Sequence, residues 1–277
     1  MRVPLCGTAF RASVEERTAV LARNTEFSLR VLLSVDAVGY GTGDDQRHRA
    51  IQTGLLAVLD HAAAQAGLDR SAWAKQQAGD GELAILPADQ SDREPVVVDD
   101  FVRELSVALA RHNEDLKDEA RLRLRLAIHF GAVAPGANGY VGKGVVTVSR
   151  LVECTQIKNA LRMMHTANLA VILSAQVFND VVVPRYTALP RTAFREVPVR
   201  HKEFAEPAYL LLPGYDIAAL ELPATEGGEP SGAAETQADT GSSEPGPSNG
   251  GRQATVSTTV NGNVTMPHGV IGMVWNA

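Results

Sequence analysis

The apolar patterning of this chain predicts an α+β sandwich followed by a short C-terminal β segment. Three observations carry that reading. Strand-like and helix-like periods alternate between Phe27 and Leu211, a Gly79-Asp80-Gly81 turn sits within a strand-turn-strand pair, and the composition breaks sharply near Ile217.

Taken in order, Phe27 to Val35 is a β-rich run (Leu29, Val31, Leu32, Leu33, Val35) ending at Asp36. A Gly-rich turn follows, Val38-Gly39-Tyr40-Gly41-Thr42-Gly43. Asp44 or Asp45 can then cap a long helix whose Ile51, Leu55, Val58, Leu59 and Ala62 repeat at helical spacing. Leu83 to Leu86 reads as a short strand, and Val98 to Asn113 carries a helical stripe of Phe101, Leu105, Ala108 and Leu109. Leu122 to Phe130 sets Leu122, Leu124, Leu126 and Ile128 against Arg123, Arg125 and His129. That is the alternation of a half-buried strand, with both arginines on its polar face. Val145 to Met164 reads as one helix and Leu169 to Leu173 as a strand.

From Glu221 to Gly251 the chain has no aromatic residue and only Leu222 as a large aliphatic, so it cannot bury enough apolar area to offset its ordering entropy. The organisation expected is therefore an N-terminal extension (1-26), a core domain (27-216), a disordered acidic Gly/Pro/Ser linker (217-251) and a small β tail (252-277). In the tail, Gln253 to Val260 alternates and Asn261-Gly262 is a hairpin signal, which suits pairing with the strand edge of a protein partner.

Composition excludes several classes. The net charge is −6 and the basic residues are scattered, which argues against nucleic-acid binding. No apolar run approaches the roughly 20 residues needed to cross a bilayer, and Met1 to Arg11 lacks the apolar region of a signal peptide. Cys6 and Cys154 suit neither a disulfide framework nor a zinc site. A cytoplasmic protein is expected.

Two carboxylates stand at strand ends: Asp36 before the Gly-rich turn, and Asp80 between two glycines. That placement suits a two-metal phosphoryl site, in which paired cations stabilise the attacking and leaving oxygens. Backbone N–H groups of Val38 to Gly41 could cradle a triphosphate.

The order of segments adds to this. Val35-Asp36-Ala37-Val38-Gly39-Tyr40 resembles the first metal motif of class III adenylate and guanylate cyclases, and Gln76-Gln77-Ala78-Gly79-Asp80-Gly81 resembles their second metal turn. Arg125-Leu126-Ala127-Ile128-His129-Phe130-Gly131 resembles the strand that family writes as Arg-x-Gly-Ile-His-x-Gly. Gly139-Tyr140-Val141-Gly142-Lys143, then Val148-Ser149-Arg150-Leu151, resembles the segment leading into the helix of the transition-state arginine. Val199-Arg200-His201-Lys202 through Tyr209-Leu210-Leu211 resembles its closing strand pair. The resemblance spans about residues 27 to 213.

It implies a ferredoxin-like palm sandwich acting as a homodimer on a nucleoside triphosphate. Two divalent cations, Mn²⁺ or Mg²⁺, would sit at Asp36, Ala37 and Asp80, while the other subunit would give the catalytic Arg150 and the base-reading positions. The nucleotide would meet Val38, Gly39, Tyr40, Gln76, Gly139, Arg200 and Lys202, and the reaction would be attack of the ribose 3′-hydroxyl on the α-phosphate with release of pyrophosphate. Outside that context Arg150 would face solvent or pair with Glu153, and His129 reads as structural.

The chain also departs from the family. Its asparagine, four residues before the arginine, falls on Val146. The base-reading pair falls on Gln76 and Gly139, with Asn138 beside it, so neither the ATP nor the GTP code is present. The Gln76 amide offers one donor and one acceptor face, which could read uracil or cytosine as easily as a purine. In lacking the purine code the chain resembles bacterial pyrimidine cyclases of the Pycsar anti-phage systems, which implies cUMP or cCMP as product. The alternative is a degenerate cyclase-like nucleotide-binding and dimerisation module signalling through its C-terminal tail, a reading that Val146 favours.

Overall fold

The computed structural model describes residues 27–39, 44–90, 92–201 and 204–222. The N-terminal extension, the linker beyond 222, the β tail at 252-277, Tyr40 and Lys202 lie outside the described residues.

The elements run β1 (Ser28–Ala37), α1 (Asp45–Gln65), β2 (Ala74–Ala78), β3 (Gly81–Ile85), α2 (Val102–His112), β4 (Leu124–Gly136), β5 (Gly139–Val141), α3 (Lys143–Glu153), α4 (Thr155–Met163), β6 (Leu169–Ser174), β7 (Arg195–His201) and β8 (Phe204–Leu211). The strands form a mixed sheet in the order β2-β3-β1-β4-β6-β8-β7, with β5 hairpinned onto β4. Only β4 and β6 pair in parallel. The fold is thus α+β, as the sequence predicts.

Helices cover both faces. Val31, Leu33 and Val35 pack with Leu55 and Leu59 of α1 and Leu105 and Leu109 of α2. Leu32 and Ala127 pack with Val148 and Leu151 of α3 and Ile157 of α4. A strand buried on both sides reads as a nearly continuous apolar run, as Val31, Leu32, Leu33 and Val35 do around the buried Ser34. Alternation then puts Ser34 and Asp36 on the α3 side of β1.

Several expected details change. α1 begins where expected, because the Asp44 carboxylate accepts from the Arg47 N–H at 2.8 Å. The expected single helix over Val145 to Met164 is instead two, broken at an extended Cys154 (φ −65, ψ 152). In an unbroken helix Leu151 and Ile157 would lie about 120° apart, so the break lets both reach full burial. Arg123 and Arg125 do not face solvent. Arg123 is half-buried and donates to the carbonyls of Leu161, Met164 and Ala167 at the end of α4. The domain also continues past 216, since Ile217 and Leu220 are buried and Arg195 donates to the Leu220 carbonyl. No helix among the described residues is long and apolar enough to cross a membrane.

His129 is buried on β4 with its Nδ1 2.9 Å from Ser174 Oγ, and burial lowers its pKa to about 4, aided by the charge of Lys143. A base depressed in the folded state favours folding while it is neutral. The contribution is complete above pH about 6.5 and is lost as pH falls towards 4. Thermal melts should therefore show a decline in stability from pH 7 to pH 5 that is weaker in His129→Asn.

Candidate active site

Asp36 lies near the end of β1, opposite Gly81 on β3 and Arg125 on β4. The Arg125 guanidinium donates to its Oδ2, while its Oδ1 is buried with no hydrogen-bond partner. Burial lifts the Asp36 carboxyl to about 6; the charge of Arg125 opposes this and that of Asp80 adds to it. Burial outweighs the arginine because one carboxylate oxygen gains no partner in return for its lost water.

Asp80 occupies the turn of the β2–β3 hairpin, and both flanking glycines are required. Gly79 has φ +45, in the left-handed region, and a Cβ on Gly81 would lie 2.4 Å from the Val35 carbonyl oxygen. That close approach lets the Ala37 N–H donate to the Asp80 carbonyl at 2.8 Å. Ala37 therefore ties the two carboxylate-bearing segments together.

Asp36, Asp80, Gln76, Asn138, Ser149 and Glu153 line one cleft of about 320 Å³, within the range of small-molecule sites. Among the described residues no group of three or more His, Cys, Asp or Glu could hold a metal on its own. Two carboxylates with one orphaned buried oxygen fit a hard cation that takes its other ligands from water or from a phosphate-bearing substrate.

The structure brings Gln76 and Gly139 together: a Cβ on Gly139 would sit 2.3 Å from Gln76 Oε1, so the amide lies across a bare Cα. Gln76 also shares its cleft with Asp36 and Asp80, although the resemblance had assigned base and metal positions to different subunits. Val38 is half-buried and Gly39 has φ +83, and neither lines the cleft. Arg150 is half-buried on α3 and Val146 is 53% exposed. Arg150 lies about 100° round α3 from Ser149 and does not line the cleft, whereas Val146 stands three residues before Ser149 and seven before Glu153, at the edge of the face those two present to it. Arg200 is exposed on β7, at the far edge of the sheet, in a groove with Glu196, Pro198 and Glu206.

Sequence reasoning missed Ser149 and Glu153, which sit one turn apart on α3, and the Arg125–Asp36 pair. The i, i+4 spacing of the first two was a usable signal; nothing local announces the third. A roomier cavity of about 640 Å³ lies at the start of α1, but its one carboxylate, Asp44, is spent on capping that helix.

No family model matches the sequence, and no curated relative matches it. Solved structures do resemble the fold. The chain is similar to an adenylate/guanylate cyclase/hydrolase from Silicibacter pomeroyi at 19% identity and TM-score 0.48, covering 69% of this chain and 99% of that one. It is similar to the guanylyl cyclase Cya2 at 17% identity and TM-score 0.47, covering 66% and 90%. A rhodopsin-guanylyl cyclase catalytic core in complex with ATPαS matches at 14% identity and TM-score 0.45, covering 67% and 96%. The solved structures to which this chain is similar are class III adenylate and guanylate cyclase catalytic domains.

Proposed function

We propose that the chain is a nucleotidyl cyclase that converts a nucleoside triphosphate into a 3′,5′-cyclic nucleotide and pyrophosphate. The observation that carries this reading is the convergence of Asp36 and Asp80 on one cleft, with Asp36 Oδ1 buried and unsatisfied. The ribose 3′-oxygen would bond to the α-phosphorus as the bond from that phosphorus to the β-phosphate bridging oxygen breaks, and the hydroxyl proton is released. Divalent cations held by Asp36 and Asp80, Mn²⁺ or Mg²⁺, would lower the pKa of that hydroxyl and offset charge on the phosphoryl oxygens.

Charge supports both the cations and a second copy of the chain. Asp80 and Glu153 line the cleft beside Asp36, which is paired with Arg125, and Glu82, which is paired with Arg70, and no lysine or arginine is among the described lining residues. A triphosphate would be repelled from such a surface unless cations came from elsewhere. Arg150, outside the cleft of its own chain, would reach the site of a partner in a homodimer and stabilise charge in the transition state.

The Gln76 and Asn138 amides, which line the cleft with Ser34, Tyr140 and Ser149, would read the base. Each can donate and accept, and because Gln76 and Gly139 carry neither the ATP nor the GTP code, uracil or cytosine is the proposed base, with UTP preferred. The product, cUMP or cCMP, would be a second messenger of the anti-phage kind that the resemblance implies. Val146 favours the second reading, a degenerate nucleotide-binding and dimerisation module, because it cannot hydrogen-bond a ribose.

Complementation tests the proposal. Asp80→Ala and Arg150→Ala should each be inactive alone. Mixed with free subunit exchange, half the dimers are mixed and one of their two sites is intact, so about one quarter of wild-type activity should return. Proven exchange without recovery would exclude a shared site.

A further inference from the structure

We infer that Gln52 is a positioning residue for Asp80, through which α1 holds the metal turn in register from behind. The inference rests on the reading of Asp36 and Asp80 as cation ligands.

The turn has little of its own to brace it. Asp80 is flanked by glycines, which carry no side chain and have the widest backbone freedom of any residue. Its geometry must therefore be set by what grips its backbone. In front, the Ala37 N–H donates to the Asp80 carbonyl at 2.8 Å. Behind, Gln52 Nε2 donates to the Gly79 carbonyl at 3.0 Å, on the peptide that joins Gly79 to Asp80. The two peptides that bracket Asp80 are thus held by β1 and by α1. The strand leaving the turn is fixed separately, since Arg70 bonds both Glu82 carboxylate oxygens at 2.8 and 2.9 Å.

α1 is a firm anchor: Leu55 and Leu59 on the same helix are buried, at 3% exposure each. Between helix and turn lies a cavity of about 190 Å³ lined by Gln52, Leu55, Leu56, Gln77, Gly79 and Glu82. A turn released from Gln52 has that space to relax into, carrying Asp80 away from Asp36. Gln52 itself does not line the cleft of Asp36 and Asp80, so its effect on a cation must run through the turn. Outer partners that orient metal ligands typically change metal affinity about 10–100-fold when removed.

The test is Mn²⁺ binding to the full chain without nucleotide, followed by water-proton relaxation, with thermal unfolding of the metal-free protein alongside. Gln52→Ala should weaken Mn²⁺ affinity about tenfold while shifting the metal-free melting point by no more than about 2 °C, as an exposed substitution should. Gln52→Glu is the sharper variant. It keeps the side-chain shape, removes the donor and adds a negative charge that on Coulombic grounds alone would tighten Mn²⁺ binding. Weaker binding in Gln52→Glu therefore isolates the hydrogen bond. If Asp80→Ala loses Mn²⁺ while both Gln52 variants bind as wild type, the inference fails and the metal reading stands. If Asp80→Ala binds Mn²⁺ like wild type, both fail together.

Discussion

Asp36→Asn and Asp80→Ala are each expected to lower cation-dependent cyclisation at least about a thousandfold, or ~4 kcal/mol of transition-state stabilisation. The two positions call for different substitutions. At Asp36, alanine would leave the Arg125 guanidinium, whose side chain is only 14% exposed, buried with no carboxylate beside it. Removing one member of such a pair destabilises a fold more than the pair itself stabilises it. Asparagine removes the charge and keeps an oxygen in the space, so lost turnover then reports on cation binding and not on unfolding. At Asp80, in an open turn with no ion-pair partner among the described residues, alanine is enough. Turnover at saturating Mn²⁺, with melting points measured in parallel, checks both variants. Retention of a tenth or more of wild-type turnover in either would remove that residue from the site.

The largest effect on stability is expected at Arg70. Its side chain is 6% exposed, and its partner Glu82 is 1% exposed and lies two residues beyond Asp80. The contact to Asp60, at 2.5 Å, adds little because Asp60 is 64% exposed. Burial raises the Glu82 pKa and the Arg70 charge pulls it back down. Arg70→Ala leaves a buried carboxylate with no counter-charge and should cost about 3–5 kcal/mol. That corresponds to a melting point lower by roughly 6–20 °C in a domain of this size. The sign with pH follows from the same pair. A folded-state pKa raised further by loss of Arg70 destabilises most where Glu82 must ionise, so the deficit should shrink as pH falls through that pKa. Replacing both partners by apolar residues should recover most of the loss, because a well-packed apolar pair has no charge to desolvate.

Asp36 and Asp80 were legible in the sequence because their signals are local. A β-rich run ending in an acid and a Gly-Asp-Gly turn need no knowledge of the rest of the chain. Gln76 was legible for the same reason, four residues before Asp80 on the same hairpin. Arg125 was not. It meets Asp36 across 89 residues, and alternation along β4 reports only that it faces away from Leu124 and Leu126. Whether water or a helix covers that second face is decided by α3, whose own periodicity looked continuous through Cys154. The i, i+4 face of Ser149 and Glu153 was visible in the sequence, but that it borders the cleft follows only from how α3 packs on the sheet. The part of the domain beyond 216 was hidden too, since Ile217 and Leu220 stand at the edge of a stretch whose composition already reads as linker.

Product analysis bears most directly on the central claim. Purified full-length chain is given Mn²⁺ and ATP, GTP, UTP or CTP in separate reactions, with Asp80→Ala as control, and cyclic nucleotide and pyrophosphate are quantified together. The expected result is a 3′,5′-cyclic nucleotide with one pyrophosphate per molecule formed, fastest with UTP and absent in the control. A chain that binds Mn²⁺ yet releases no pyrophosphate from any of the four would contradict it.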